Sequence, residues 1–171
     1  MSMSKIDKII KALDLLPHPE GGFFKETYRS KGVINKESLG NQFLDKRNYS
    51  TGIYFLLTSD MFSAFHRIKQ DEMWHFYDGS PIKIHMIDAA GNYSFAIVGK
   101  NISQGHIPQF VVPAGYLFAA TVVNNNDFSL VGCTVSPGFD FRDFEMPTRD
   151  QLVDDYPQHK DLITRLTKKV G

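Results

Sequence analysis

Apolar residues recur at helical spacing near the two ends of the chain and crowd into short runs between them. Ile6, Ile9, Ile10, Leu13 and Leu16 share one helical face, so residues 4–16 read as a packing helix, opened by a Ser4/Asp7 capping box. The segment Pro17-His18-Pro19-Glu20-Gly21-Gly22 ends it, because proline cannot continue a helix. His18 there reads as a loop residue rather than a ligand. Phe23 to Tyr28 follows as a strand whose alternation puts Phe24, Glu26 and Tyr28 on one face. Residues 30–48 are polar and aperiodic, a loop suited to cover a cleft or a partner surface. Residues 50–57, STGIYFLL, are almost continuously apolar and predict a strand buried on both faces.

The densest stretch is Phe62 to Gly79, FSAFHRIKQDEMWHFYDG. Two aromatic runs flank a polar turn, which predicts a pair of strands with His66 ending the first and Glu72 opening the second. A histidine and a carboxylate meeting across such a hairpin suit metal ligation or acid/base chemistry. Residues 81–88 alternate Ile82, Ile84 and Met86 against Lys83 and His85, which sends His85 to water or the rim. Tyr93 to Val98 is another strand, and His106 falls in an exposed loop. Pro113-Ala114-Gly115 turns into an apolar strand over Tyr116–Val123, and Phe128–Val135 pairs back after the Asn124–Asp127 turn. The run FDFRDFEM places Asp140, Asp143 and Glu145 as turn and surface groups. A second capping box, Thr148 with Gln151, opens C-terminal helices that turn Leu162, Ile163 and Leu166 inward and end near Lys169.

Many short strands between terminal helices indicate a mainly β sandwich, barrel or jelly roll. The 171 residues suffice for one domain, with no linker or repeat to divide it: helix 4–16, β body 17–147 and C-terminal helices 148–171. Lys+Arg and Asp+Glu number 19 each, so no basic surplus points to nucleic acid or to an anionic membrane. Cys133, the single cysteine, lies in an apolar run and reads as a buried, inert thiol. With no internal disulfide available, and no apolar segment after the N-terminal MSMSKIDK, the expected setting is cytosolic.

His66, Glu72 and Gly79, followed by Pro113 and Gly115, resemble the two-part signature of the cupin superfamily. In metal-binding cupins that signature carries two further histidines, whose positions here hold Ile68 and Phe118. The blocks PHPEGGFFKETYRS, STGIYFLL, FSAFHRIKQDEMWHFYDG, VVPAGYLFAA and VGCTVSPGFDFRDFEM look like the fifth cupin family, from Pro17 to about Met146. The resemblance implies an RmlC-like double-stranded β-helix or jelly-roll barrel, a homodimer and a small-molecule pocket within the barrel.

If Glu72 faces that interior, alternation sends Trp74 and Phe76 the same way and His75 outward unless a bulge turns it. His66 and Phe118 would line it too, and Glu26, Tyr28 and Arg29 would reach its mouth. An aromatic cavity with a few polar groups suits a small molecule, and a carboxyl within it has its pKa raised towards neutrality. Three readings follow. The first is a metal-independent epimerase- or isomerase-like enzyme on a sugar or keto-sugar, with His66 moving a proton and Glu72 as its partner. The second is a module that binds or senses a small molecule without catalysis. The third is a divalent-metal enzyme using His66, Glu72 and His75; no cofactor is expected, since two of the superfamily's four ligands are apolar here.

Overall fold

A computed structural model describes residues 4–168 of the protein. Met1–Met3 and the expected last helical residue, Lys169, lie outside the described residues. In chain order the elements are α1 (Lys5–Ala12), β1 (Leu16–Pro17), β2 (Phe23–Arg29), β3 (Val33–Ile34), β4 (Arg47–Asn48), β5 (Thr51–Thr58) and β6 (Phe62–His66). They continue with β7 (Asp71–Gly79), β8 (Ile82–Ile87), β9 (Tyr93–Val98), β10 (Gln109–Val112), β11 (Leu117–Val122), β12 (Phe128–Ser136), α2 (Arg149–Asp155) and α3 (Lys160–Arg165). A six-stranded sheet in the order β1-β2-β5-β12-β7-β10 faces a four-stranded sheet in the order β6-β11-β8-β9, and every strand pairing is antiparallel. This is the mainly β, two-layer architecture that the strand pattern and the cupin resemblance predict.

The pairing partners differ from those expected in two places. β6 pairs with β11 and β7 pairs with β12 and β10, so the two arms of the 62–79 stretch lie in opposite sheets rather than in one hairpin. The polar turn Arg67–Gln70 crosses between the layers, tied to distant segments by Arg67–Glu145 backbone bonds and by Gly115 N–H donating to Ile68 O. Likewise β12 pairs with β5 and β7, not with β11. The jelly roll uses such turns to switch sheets, and alternation within a strand says nothing about which layer it joins.

Between the sheets lies a core that includes Phe55, Leu57, Trp74, Ile84, Val112, Phe118 and Val131. A second cluster fills the outer face of the small sheet, where Phe65, Ile87 and Leu117 meet Leu152, Ile163 and Leu166 from the C-terminal helices. That cover changes the reading of His85. It is buried, with Nδ1 2.9 Å from Tyr93 Oη and Nε2 3.1 Å from Thr121 Oγ1, not turned to water. The face that a bare strand shows to solvent is here roofed by helices. His106 is half-buried rather than exposed.

Both capping boxes form as expected, Ser4 with Asp7 at the start of α1 and Thr148 with Gln151 at the start of α2. The first helix stops earlier than its periodicity suggests. Asp14 takes a left-handed φ of 52°, so Leu15 turns into the core beside Leu56 and Phe128, and Leu16 is left exposed. The 30–48 segment is likewise not a plain loop. β3 and β4 pair within it, Phe43 and Arg47 are buried, and the Arg47 guanidinium binds both carboxylate oxygens of Asp143 at 2.6 Å. Asp143 is therefore a buried anchor, held also by Gln70 at 2.8 Å, and not a surface group.

Candidate functional site: an aromatic cavity with four carboxyls and two imidazoles

One end of the space between the sheets is open, forming a cavity of about 340 Å³. β7 delivers Glu72 and Trp74 to it from the middle of the large sheet, opposite Val135 and Cys133 of β12. β2 and β5 add Phe24, Glu26, Ile53 and Phe55, and the segment after β12 adds Phe139, Asp140, Phe141 and Phe144. His66 enters from the end of β6.

His66 is fully buried. Its Nδ1 lies 2.7 Å from the carbonyl oxygen of Ala64, which only accepts, so Nδ1 carries the proton of the neutral ring. Its Nε2 then faces Oε2 of Glu20 at 3.0 Å. One proton is shared there, either on a carboxylic acid donating to imidazole or on an imidazolium donating to carboxylate. Burial acts on both partners in the same sense. It pushes the imidazole below its ordinary range, opposed by the charge of Glu72, and pushes the Glu20 carboxyl upward, opposed by His18 and by a hydrogen bond from Ser63. The neutral pair, with the proton on Glu20, is favoured.

Glu20 and His18 come from the segment that ends the first helix, and the sequence reading missed both. His18 is not a free loop residue: its ring lies between Phe24, at a centroid distance of 4.6 Å, and Phe141, at 6.2 Å. Its Nδ1 accepts the backbone N–H of Glu20 at 3.3 Å and sits 3.4 Å from Glu20 Oε2. The turn is possible because Gly21 and Gly22 adopt φ of 123° and 72°, and a Cβ on Gly21 would fall 2.1 Å from the carbonyl oxygen of Phe62. Ala64 N–H donates to Glu20 O at 2.9 Å, which locks this turn against β6. Two glycines after an acid are a visible signal of a special backbone; which strand they pack against is not.

Glu72 differs from Glu20 in having no N–H or O–H donor on its carboxyl among the described residues. The Cys133 thiol lies beside it, and burial with that carboxyl raises the thiol well above its ordinary range. Burial, then the nearby Glu20, raise the Glu72 carboxyl from 4.5 to about 7, against the lowering effect of His66 and of Cys133. A carboxyl expected from the sequence to be raised is raised, for the expected reason. Trp74, also on the wall, has an indole N–H without a partner.

Other expected site residues divide. Arg29 and Glu26 stand at the cavity, joined by two bonds of 2.8 and 2.7 Å. Tyr28 does not reach it and is exposed. A register shift between Glu26 and Tyr28 in the β2–β5 ladder breaks the alternation, so Arg29 takes the inward place that strict alternation assigns to Tyr28. Phe76 packs against the core and is not on the cavity wall; β7 bulges at this level, between the pairs Asp78–Leu130 and Phe76–Val131. Phe118 stays behind the wall, its ring 4.0 Å from that of His66. His75 faces outward, bonded to Thr134 Oγ1 at 3.0 Å and Gln109 Nε2 at 3.0 Å. It therefore does not join His66 and Glu72 as a metal ligand.

The superfamily's metal set does not fit these residues. Ile68 and Phe118 are apolar, and the Nε2 of His66, the nitrogen free to ligate, is engaged by Glu20. Among the described residues no group of three or more His, Cys, Asp or Glu side chains is arranged to hold a metal ion. Nor is any described helix long and apolar enough to cross a membrane.

The chain is similar to three relatives at substantial identity, two of them solved structures. Protein SO0799 from Shewanella oneidensis is 39% identical, with a TM-score of 0.88 over 98% of this chain and 100% of that one. A hypothetical protein from Leishmania major is 36% identical, with a TM-score of 0.86 over 97% and 100%. The uncharacterised protein YML079W of Saccharomyces cerevisiae is 33% identical over 149 residues, 82% of this chain and 74% of its own. Residues 7–147 match the model of a family described as cupin superfamily (DUF985). The chain belongs to that family, the fifth cupin family that its sequence blocks resemble.

Proposed function

We propose that the protein binds a small ring-shaped molecule in the barrel cavity and moves a proton on it without a metal, the chemistry of an epimerase or isomerase acting on a sugar- or keto-sugar-like compound. The observation that carries this reading is the Glu72 carboxyl, facing an aromatic cavity with no N–H or O–H partner among the described residues, across from a Glu20–His66 pair that shares one proton. A base with a pKa near 7 is well matched to proton abstraction at neutral pH. Both ring nitrogens of His66 are engaged, which moves the base role to Glu72. Glu72 takes a proton from the carbon next to a carbonyl. The Glu20–His66 pair supplies its shared proton to the carbonyl oxygen, giving an enol; a proton then returns from Glu72 to carbon, on the other face or at the adjacent carbon of an enediol, as the enol oxygen gives its proton back to the pair. The aromatic wall holds the ring and excludes water. A homodimer, as the family resemblance implies, and a cytosolic setting belong to the same reading.

The test is wash-in of solvent deuterium at carbon across a panel of cyclic ketones and keto-sugars. Wash-in that is lost in both Glu72→Gln and Glu20→Gln supports an enzyme. Saturable binding with no wash-in by the wild-type protein supports a non-catalytic module instead.

A further inference from the structure

We infer that the cavity's ligand is not an anion: it is a single-ring carbonyl compound carrying no phosphate, pyrophosphate or carboxylate. The inference rests on the cavity being the ligand site proposed above and narrows what enters it.

The lining holds four carboxyls, Glu20, Glu26, Glu72 and Asp140, against one guanidinium, Arg29. An anionic ligand would need that guanidinium, and it has nothing left to give. Nε and one Nη bind the two oxygens of Glu26 at 2.8 and 2.7 Å. The other Nη binds Asn48 Oδ1 at 2.9 Å, and both Nη atoms reach the carbonyl oxygen of Phe139 at 3.2 Å. These five contacts use all five N–H groups of the side chain. The imidazoles offer no charge in compensation, since burial lowers the pKa of both His18 and His66. His18 keeps one free ring nitrogen and His66 none.

Glu26 is paired with Arg29, and Asp140 with Arg142 at 2.8 Å, so neither ion pair offers a ligand a free positive charge. Size narrows the ligand further. Ligand cavities run from about 300 to 1,000 Å³, and about 340 Å³ lies at the small end, room for one ring rather than a nucleotide-linked sugar.

The experiment compares three matched probes, cyclohexanone, cyclohexanecarboxylate and cyclohexyl phosphate, on the full chain at pH 8. Binding is read from the fluorescence of Trp74, the single tryptophan, which lies on the cavity wall. The ketone is expected to bind roughly tenfold or more tightly than each anionic probe, the scale of leaving one buried charge unpaired. Equal or tighter binding of either anionic probe overturns the inference. Glu26→Ala supplies a second arm by releasing Arg29. It is expected to raise carboxylate affinity roughly tenfold relative to the ketone, and an unchanged ratio would show that Arg29 is not what rejects anions. Ketone preference without deuterium wash-in leaves this inference standing and removes the catalytic reading. Wash-in on the ketone with an anionic probe bound as tightly or more tightly does the reverse, and no binding by any probe removes both.

Discussion

Oε2 of Glu20 and Nε2 of His66 lie 3.0 Å apart inside the barrel, joining the turn after the first helix to the end of β6. The contact fixes the imidazole between Phe118 and Phe144 and leaves Glu72 as the carboxyl that faces the cavity with only the Cys133 thiol beside it. Structure and chemistry can be separated at this pair. Glu20→Gln keeps an amide that donates to Nε2 and accepts from Ser63, which now donates to Oε1 at 2.8 Å. It should unfold in urea close to the wild-type midpoint while losing proton transfer. Glu20→Ala leaves two buried polar atoms without a partner and should cost roughly 1–3 kcal/mol.

Stability against pH reports Glu72. Its folded pKa, about 7, is above the ordinary 4.5, so the folded state holds the proton that the unfolded state releases between those values. The group therefore costs nothing below pH 4.5. It weakens the fold progressively as pH rises to about 7 and by a constant amount above, roughly 3 kcal/mol in full. Glu20, also raised, acts in the same direction, while His18, His66 and His85, all lowered, act in the opposite one below 6.5. Subtracting the wild-type curve from that of Glu72→Gln cancels the parts of His18 and His85, which do not feel Glu72, and leaves Glu72 with its coupling to Glu20 and His66. The variant should gain relative stability from pH 4.5 to 7, measured by urea unfolding at each pH.

Asp143 anchors the wall of the cavity rather than its chemistry. It sits between Arg47 and Gln70, and the residues around it carry Phe139, Phe141 and Phe144. Asp143→Ala strands a buried guanidinium and should destabilise the protein by roughly 3–5 kcal/mol. In the fraction still folded, affinity for a ring probe should fall as the aromatic wall loosens, read by titration well below the unfolding midpoint.

Metal content checks the donor set. Protein purified without added metal should carry far less than one transition-metal ion per chain by elemental analysis. An equimolar ion lost in His66→Ala would contradict this account.

Much of this was visible in the residues. The capping boxes are local pairs, and they form where Ser4, Asp7, Thr148 and Gln151 place them. His66, Glu72 and Trp74 sit in a motif dense enough to mark the barrel interior, and they line the cavity. What stayed hidden depends on contacts between distant segments. Glu20 becomes the partner of His66 only once its backbone pairs with Ala64, and Tyr28 yields to Arg29 because one register shift breaks a period-two pattern. His85 and Asp143 look like surface groups until helices and a distant arginine cover them. The supposed hairpin failed for a related reason, since a polar turn reads the same whether it joins two strands of one sheet or crosses between two.

The most direct measurement is a carbon-13 NMR titration of the glutamate carboxyls, with the Glu72 signal assigned by its loss in Glu72→Gln. A buried carboxyl without N–H or O–H partners, close to a second carboxyl, should titrate near pH 7. Titration of that signal near 4.5, as for a glutamate in water, would contradict the buried base on which the proposed function stands.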